Sequence, residues 1–145
     1  MKYSVQIDIL LPIDRVIELF DNVDNLYKWM DGLQSFETFE GVQGEVGAKS
    51  RLIFKMGKKD VEMIETITAK NLPTEFSGTY EAENVFNIVE NRFVKLSETE
   101  TRYISKQEFR FKGFMKIIAF LMPFAFKKQT LNYLKKFKSF AESVE

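Results

Sequence analysis

Apolar and polar residues alternate with a period of two through most of the segment from Leu33 to Gly113. Because successive side chains of a β-strand point to opposite faces of a sheet, this period predicts strands that each bury one face. Turn-forming residues divide the segment into six predicted strands: 33–41, 48–56, 60–70, 74–82, 85–97 and 101–112. The short connections between consecutive strands favour an antiparallel meander.

Other patterns flank this meander. Residues 3–11 alternate in the same way and predict a first strand that Pro12 ends. Apolar residues at helical spacing then predict two short helices, the second ending at Gly32. From Phe126 to Val144, a stripe of mostly apolar residues at alternating steps of four and three predicts one long helix. We therefore expect a single α+β domain over residues 1–145.

The last predicted strand shows the contrast between the two sheet faces. One face of residues 101–112 carries aromatic and uncharged polar side chains, and the other carries mainly charged ones. A sheet with one apolar face needs a cover, and a single long helix covers such a face only in part. The uncovered remainder predicts either a cavity or a second interface.

The chain contains no cysteine and no histidine. This absence excludes disulfides and thiolate metal sites, and it removes the usual zinc ligands and the commonest general base. We therefore expect no metal and no cofactor, and we assign no catalytic residue. Acidic pairs such as Glu62 with Glu65, or Glu98 with Glu100, fall on strands and turns with a solvated pattern, so we interpret them as surface charge.

Several segments, in their order along the chain, resemble the START-like (SRPBCC) superfamily of polyketide cyclase/dehydrase and lipid-transport proteins. PIDRVIELFDNVDNLYKWMDGLQSFETFEG is similar to its opening, with Trp29 at the tryptophan before the second strand. GEVGAKSRLIF resembles its second turn and third strand, NLPTEF its turn after the fourth strand, and FRFKG with the last helix its closing section. The resemblance covers essentially the whole chain. It implies a helix-grip fold: a curved seven-stranded antiparallel sheet around a long C-terminal helix, two short helices between strands 1 and 2, and a cavity between sheet and helix.

The resemblance implies a carrier or sensor of a small hydrophobic ligand, such as a lipid, an isoprenoid or a polyketide-like compound. We expect inward-facing residues to line its cavity: Trp29, Leu52, Phe54, Met56, Phe76, Tyr80, Tyr103, Ser105, Gln107, Phe109, Phe111, Ile118, Met122 and Phe126. Apolar burial would supply most of the affinity, and the inward tyrosine, serine and glutamine groups would orient the ligand's polar end.

Two other functions remain open. A cyclase/dehydrase-type enzyme would use the same cavity and would need an ionisable group inside it. An interaction module, as in the chaperone-activating branch of the superfamily, would instead show a wide apolar outer patch and a small or closed cavity.

The glycines of GVQGEVGAK, at positions 41, 44 and 47, invite comparison with a phosphate-binding loop. Such a loop leads from a strand into a helix, whereas strands are predicted on both sides here. The segment is closer to the glycine-rich turn of the pollen-allergen branch, so we interpret it as a turn that lines the cavity mouth.

The segment FMKIIAFLMPFAF, residues 114–126, carries one charge and contains Pro123, which predicts a helix break. It is shorter than the roughly 20 apolar residues that span a bilayer. Its many apolar groups exceed what the covered face of one helix can bury, which favours contact of some of them with a ligand, a partner or a lipid surface. The alternative, that the whole run packs as core, stays open, because short apolar runs are often buried helix.

Charge is unevenly distributed along the chain. Residues 110–138 hold eight cations and no anion, while the rest of the chain holds 13 cations against 21 anions. We expect either a solvated basic helix or weak contact with an anionic membrane surface. Nucleic acid is not an expected partner, because the aromatics of this basic region lie at core spacing. Without a secretion signal pattern at the N-terminus, we expect a cytoplasmic protein. The sequence leaves the oligomeric state open.

Overall fold

The computed structural model describes residues 1–144. Within this range the order of elements is the predicted one: a strand, two short helices, six strands and a helical C-terminal region. The elements are β1 (Lys2–Ile9), α1 (Ile13–Phe20), α2 (Val23–Trp29), β2 (Leu33–Glu40), β3 (Lys49–Met56), β4 (Lys59–Asn71), β5 (Glu75–Ala82), β6 (Val85–Ser97), β7 (Glu100–Phe111), α3 (Phe114–Leu121) and α4 (Pro123–Ser143).

The seven strands form one antiparallel sheet in the order β1-β7-β6-β5-β4-β3-β2. The meander supplies the six strands β2 to β7, and β1 joins the sheet by pairing with β7 from Lys2–Glu108 to Ile9–Thr101. Because β1 and β2 lie at opposite edges, α1 and α2 connect one edge of the sheet to the other. This connection brings the two short helices close to the glycine-rich β2–β3 loop.

The long helix α4 packs against the sheet through the predicted apolar stripe. Leu134, Phe137 and Ala141 are almost completely buried on it. The Phe137 ring meets the rings of Trp29 and Tyr103 edge-on, with centroids 5.1 and 5.9 Å apart. The predicted helix-grip arrangement is therefore confirmed.

The predicted helix break at Pro123 is also confirmed. Helix α3 ends at Leu121, Met122 has non-helical backbone angles (φ −133°, ψ 54°), and Pro123 occupies the first turn of α4. Proline suits this place because the first-turn amides of a helix have no partner within that helix. The break separates α3 from the helix that grips the sheet.

The first strand is shorter than predicted and ends at Ile9 rather than Leu11. Leu10 points largely into solvent, and the Leu11 carbonyl accepts a hydrogen bond of 2.8 Å from the Thr101 hydroxyl instead of a ladder bond. Because the residue before Pro12 is sterically restricted, the chain turns here towards α1.

Candidate functional site

A cavity of about 70 Å³ lies between the sheet and the α1–α2 connection. Its walls are mainly apolar and come from both short helices and from β2, β4 and β5, with Phe20, Trp29, Ile67 and Phe76 among them. Trp29 is the last residue of α2. The Asn22 side chain caps the beginning of this helix by accepting a 3.0 Å hydrogen bond from the Asp24 amide.

The mouth of the cavity opens into a polar surface cleft of about 330 Å³. Asp21, Asn22, Val23 and Gly44 line both spaces. The glycine-rich β2–β3 loop therefore lies at the mouth, where the sequence analysis placed it. Gly44 has a φ of +84°, a conformation that side chains other than glycine rarely adopt.

Lys70 joins the two sides of this mouth. Its ammonium group lies 3.2 Å from the Asp21 carboxylate and donates a 2.8 Å hydrogen bond to the Gly44 carbonyl. The Lys70 side chain is only 16% exposed, so this ion pair is better shielded from water than most surface pairs. Together these contacts tie the β2–β3 loop to the α1–α2 junction across the opening.

An acidic group lines the cavity. Glu65 stands opposite Ser50 on β3 and Tyr80 on β5, and it shares the inward face of β4 with Met63 and Ile67. The Tyr80 hydroxyl donates a 2.8 Å hydrogen bond to the Glu65 carboxylate. Our assignment of Glu65 to solvated surface charge is therefore wrong. The period-two pattern Met63–Glu65–Ile67 could have revealed its inward orientation.

The environment of this pair changes the acidity of both groups. Burial raises the pKa of the Glu65 carboxyl, and the hydrogen bond from Tyr80 offsets part of that rise. Burial, together with the negative charge of Glu65, raises the pKa of Tyr80 well above its ordinary value. Tyr80 therefore stays protonated and remains a hydrogen-bond donor.

Trp29 provides an unused donor. The side chain is 4% exposed, and its indole N–H has no hydrogen-bond partner among the residues that the structure describes. Buried polar groups normally have a partner, because removing a donor from water without replacing its hydrogen bond costs free energy. Trp29 also lines the cavity, but its indole nitrogen is sealed from water, so a bound molecule supplies the missing acceptor only when neighbouring side chains shift.

Three of the predicted site residues, Trp29, Phe76 and Tyr80, line this cavity. Leu52 and Phe54 instead form a small core with Leu33, against which Tyr80 packs.

The predicted polar residues of β7 are largely engaged with other side chains. The Tyr103 hydroxyl donates to Asn91 at 3.0 Å. Gln107 donates to the Ser105 hydroxyl at 2.7 Å and accepts from Asn87 at 3.0 Å. These groups face inward as predicted, but their hydrogen bonds are made within the protein.

The remaining predicted residues lie outside the cavity walls. Phe109, Phe111 and Phe126 pack on one another at the far end of β7, with ring centroids 5.1–5.6 Å apart. Met56, Ile118 and Met122 do not line the cavity either. Met56 is 40% exposed at the end of β3, and the break before Pro123 separates Ile118 and Met122 from the helix that covers the sheet.

The sequence analysis missed Phe20, which explains why the cavity is small. Its ring lies among five others, with centroids 5.1–5.9 Å away: those of Trp29, Phe76, Phe93, Tyr103 and Phe137. Helical spacing marks Phe20 as apolar, but nothing in the local pattern shows how far its ring reaches across the sheet.

No protein-family model matches the chain, and no curated protein matches its sequence. Solved structures match its fold. The ZhuI aromatase/cyclase from Streptomyces sp. R1128 has a TM-score of 0.82 at 13% identity, covering 98% of this chain and 93% of that one. Ara h 8.0201 has a TM-score of 0.76 at 15% identity, covering 99% of both chains. Norcoclaurine synthase from Thalictrum flavum, in complex with dopamine and hydroxybenzaldehyde, has a TM-score of 0.76 at 12% identity, covering 100% and 88%.

These structures carry the same sheet and gripping helix as the present chain. At such low identities the likeness concerns the fold. The fold that the resemblance implied is therefore confirmed: the chain has a helix-grip fold, with a seven-stranded antiparallel sheet around a long C-terminal helix.

Proposed function

We propose that the protein binds a small, mostly apolar molecule with an oxygen-bearing group, of which a phenol is the simplest example. The unpaired indole N–H of Trp29, a residue that lines the same cavity as the Glu65–Tyr80 pair, is the observation that carries this proposal. A ligand oxygen can accept from the indole, and a ligand hydroxyl can donate to the carboxylate. The apolar walls then favour the hydrocarbon part of the ligand.

The size of the cavity limits the ligand. A volume of about 70 Å³ is roughly half of the ~150 Å³ that holds benzene in an engineered apolar cavity. A single-ring ligand must therefore extend into the adjoining cleft, or the Lys70 contacts at the mouth must loosen. A lipid or sterol would require a larger separation of helices and sheet. A phenol therefore suits this site better than the lipid expected from the sequence. A cavity this small is also what the interaction-module hypothesis predicts, so ligand binding has to be measured.

A solved structure with a similar fold supports this ligand class. The norcoclaurine synthase structure contains dopamine and hydroxybenzaldehyde, and both molecules carry a phenolic hydroxyl on a single ring. A helix-grip protein can therefore hold molecules of this size and polarity.

Binding can be tested with 4-methylphenol by isothermal titration calorimetry. We expect saturable binding to the wild-type protein and weaker binding of toluene, which has the same ring but no hydroxyl. Val23→Phe adds a ring at the mouth, where Val23 lines both cleft and cavity, and should abolish binding. A wild type that binds neither compound, or a Val23→Phe variant that binds as well as the wild type, contradicts the proposal.

An acid–base enzyme of the cyclase/dehydrase type is the second candidate, and Glu65 is the observation that favours it. The sequence analysis required an ionisable group inside the cavity for this function, and Glu65 is such a group. A carboxylate with a raised pKa in apolar surroundings can take a proton from a bound molecule and return it at another position. Tyr80 would position Glu65 through their hydrogen bond.

The raised pKa of Glu65 predicts a pH-dependent stability. The folded protein holds this proton more tightly than the unfolded chain, so the contribution of Glu65 is fully present below its ordinary pKa of 4.5. It is lost as the pH rises through the raised pKa. We therefore expect the wild type to lose stability relative to Glu65→Gln as the pH increases across this range, as measured by urea unfolding at several pH values.

Glu62→Gln serves as the matched control for this measurement. Glu62 lies on the same strand, but its side chain is 57% exposed and faces the exposed Arg51 at 3.6 Å. We expect the difference in unfolding free energy between Glu62→Gln and the wild type to lack the rise with pH that is expected for Glu65→Gln. Parallel pH profiles for the wild type and Glu65→Gln would contradict a raised pKa at Glu65.

A further inference from the structure

Large apolar side chains on α3 and at the start of α4 are exposed to solvent. They form what we call the apolar patch: Phe114, Ile117, Phe120, Leu121, Met122 and Phe124. Phe120 is 85% exposed and Phe124 is 71% exposed. Isolated exposed apolar residues are ordinary on protein surfaces, but a contiguous group of this kind marks an interaction site.

The exposure follows from the sequence of α3. Seven of its eight residues are uncharged and apolar, so they occupy all sides of the helix. Met115, Ile118 and Ala119 are the residues that turn inward, and Ala119 is the one that is fully buried. The break at Met122 lets α4 follow the sheet while α3 keeps its other faces in solvent.

Four lysines surround the apolar patch in the sequence: Lys112, Lys116, Lys127 and Lys128. All four are exposed, and none forms an ion pair with another residue in the range 1–144. Farther along α4, Lys136 lies 3.3 Å from Asp31 and Lys138 lies 2.7 Å from Glu142, whereas Lys135 is exposed and has no ion pair within residues 1–144. Four of the ten lysines that have no ion pair within residues 1–144 therefore flank the patch in the sequence, with no acidic residue between Lys112 and Lys128.

We propose that the apolar patch and its four lysines dock the protein on the surface of an anionic lipid bilayer. Apolar side chains that enter the acyl boundary, together with cations beside anionic headgroups, are the two contributions that hold peripheral helices on membranes. Helix α3 is about 12 Å long at 1.5 Å per residue, which suits contact with one leaflet. No helix within residues 1–144 is long and apolar enough to cross a bilayer.

Charge distinguishes this partner from a second copy of the chain. Two copies that met through the apolar patch would bring two sets of four unpaired lysines together, and like charges at close range repel. An anionic surface instead pairs with each of these lysines. Membrane docking is a separate property from the proposed ligand binding. Because no residue of the apolar patch lines the cavity, an experiment can contradict one proposal and leave the other intact.

The test is co-sedimentation of the full chain with vesicles of phosphatidylcholine, alone or in an equal mixture with phosphatidylglycerol. We expect the affinity for the anionic vesicles to be higher by about tenfold or more, and to fall as salt is raised. Lys127→Glu with Lys128→Glu should remove most of this difference. Phe120→Ser with Phe124→Ser should weaken binding to both kinds of vesicle.

Lys28→Glu with Lys95→Glu provides the charge-matched control. Lys28 lies on α2, and Lys95 lies on β6 next to the β6–β7 turn, at the opposite end of β7 from Phe111. The control should bind anionic vesicles better than Lys127→Glu with Lys128→Glu, although both variants have the same net charge. Urea unfolding followed by circular dichroism should show that all three variants stay close to the wild-type stability, because the replaced side chains are exposed and the Lys95–Glu98 pair that the control breaks is a surface pair.

Several results would overturn the proposal. They are equal binding to both kinds of vesicle, binding to neither, or an equal loss in the two lysine variants. Self-association without vesicles that Phe120→Ser with Phe124→Ser abolishes would assign the patch to a second copy instead.

Discussion

Replacing Phe137 with alanine is expected to lower the free energy of unfolding by about 3–5 kcal/mol. Phe137 is completely buried, and its ring contacts Phe20, Trp29 and Tyr103 with centroids 5.1–5.9 Å away. Removing it leaves a cavity where α4, α1 and the sheet meet. Urea unfolding followed by circular dichroism measures the loss.

Phe124→Ala on the same helix is the matched control for this experiment. Phe124 is 71% exposed, so its truncation should change the unfolding free energy by no more than about 0.5 kcal/mol. Similar effects of the two substitutions would contradict the packing of α4 through Phe137.

Replacing Gly78 with valine is expected to cost about 1–3 kcal/mol, near the upper end of that range. Gly78 lies opposite Ile67 at the point where the β4–β5 register shifts. A Cβ atom at Gly78 would lie 2.7 Å from the Thr66 carbonyl oxygen, so the backbone of one strand would have to move. Glycine in a strand interior often marks such a bulge or close approach.

Gly78→Val should also change ligand binding, because Gly78 lines the cavity. Thr79→Val, one residue away and directed to the other face, tests whether an apolar replacement on this strand is harmful in general. We expect the control to stay within about 0.5 kcal/mol of the wild type. Equal stability of the wild type and Gly78→Val would contradict the close approach of β4 and β5.

Most of the fold could be predicted from the sequence, because it depends on periodic patterns that are local. Alternation defined the strands of the meander, and the helical stripe containing Phe137 identified the gripping helix. Pro123 marked the break because its ring excludes a continuous helix. The end of β1 was predicted two residues too late, because it depends on a tertiary contact: the Leu11 carbonyl accepts a hydrogen bond from the Thr101 hydroxyl.

The site was less predictable, because its composition depends on which inward residues the helices cover. The alternating pattern correctly predicted that Tyr80 and Tyr103 face inward. It could not show that Tyr103 is buried in the core while Tyr80 lines a cavity. Glu65 was assigned to the surface on its charge, although its strand position places it inside. The volume of the cavity depends on Phe20, whose partners come from β5, β6, β7 and both α2 and α4.

The indole N–H resonance of Trp29 tests the central claim most directly. Trp29 is the only tryptophan in the chain, so an isotope-labelled sample gives a single indole signal that reports on the cavity. On titration with 4-methylphenol we expect this signal to shift and saturate as the indole gains its missing acceptor, and to stay in place in Val23→Phe. An indole signal that remains fixed while other resonances of the wild-type protein titrate would show that the ligand binds elsewhere, and would contradict a binding site at Trp29, Glu65 and Tyr80.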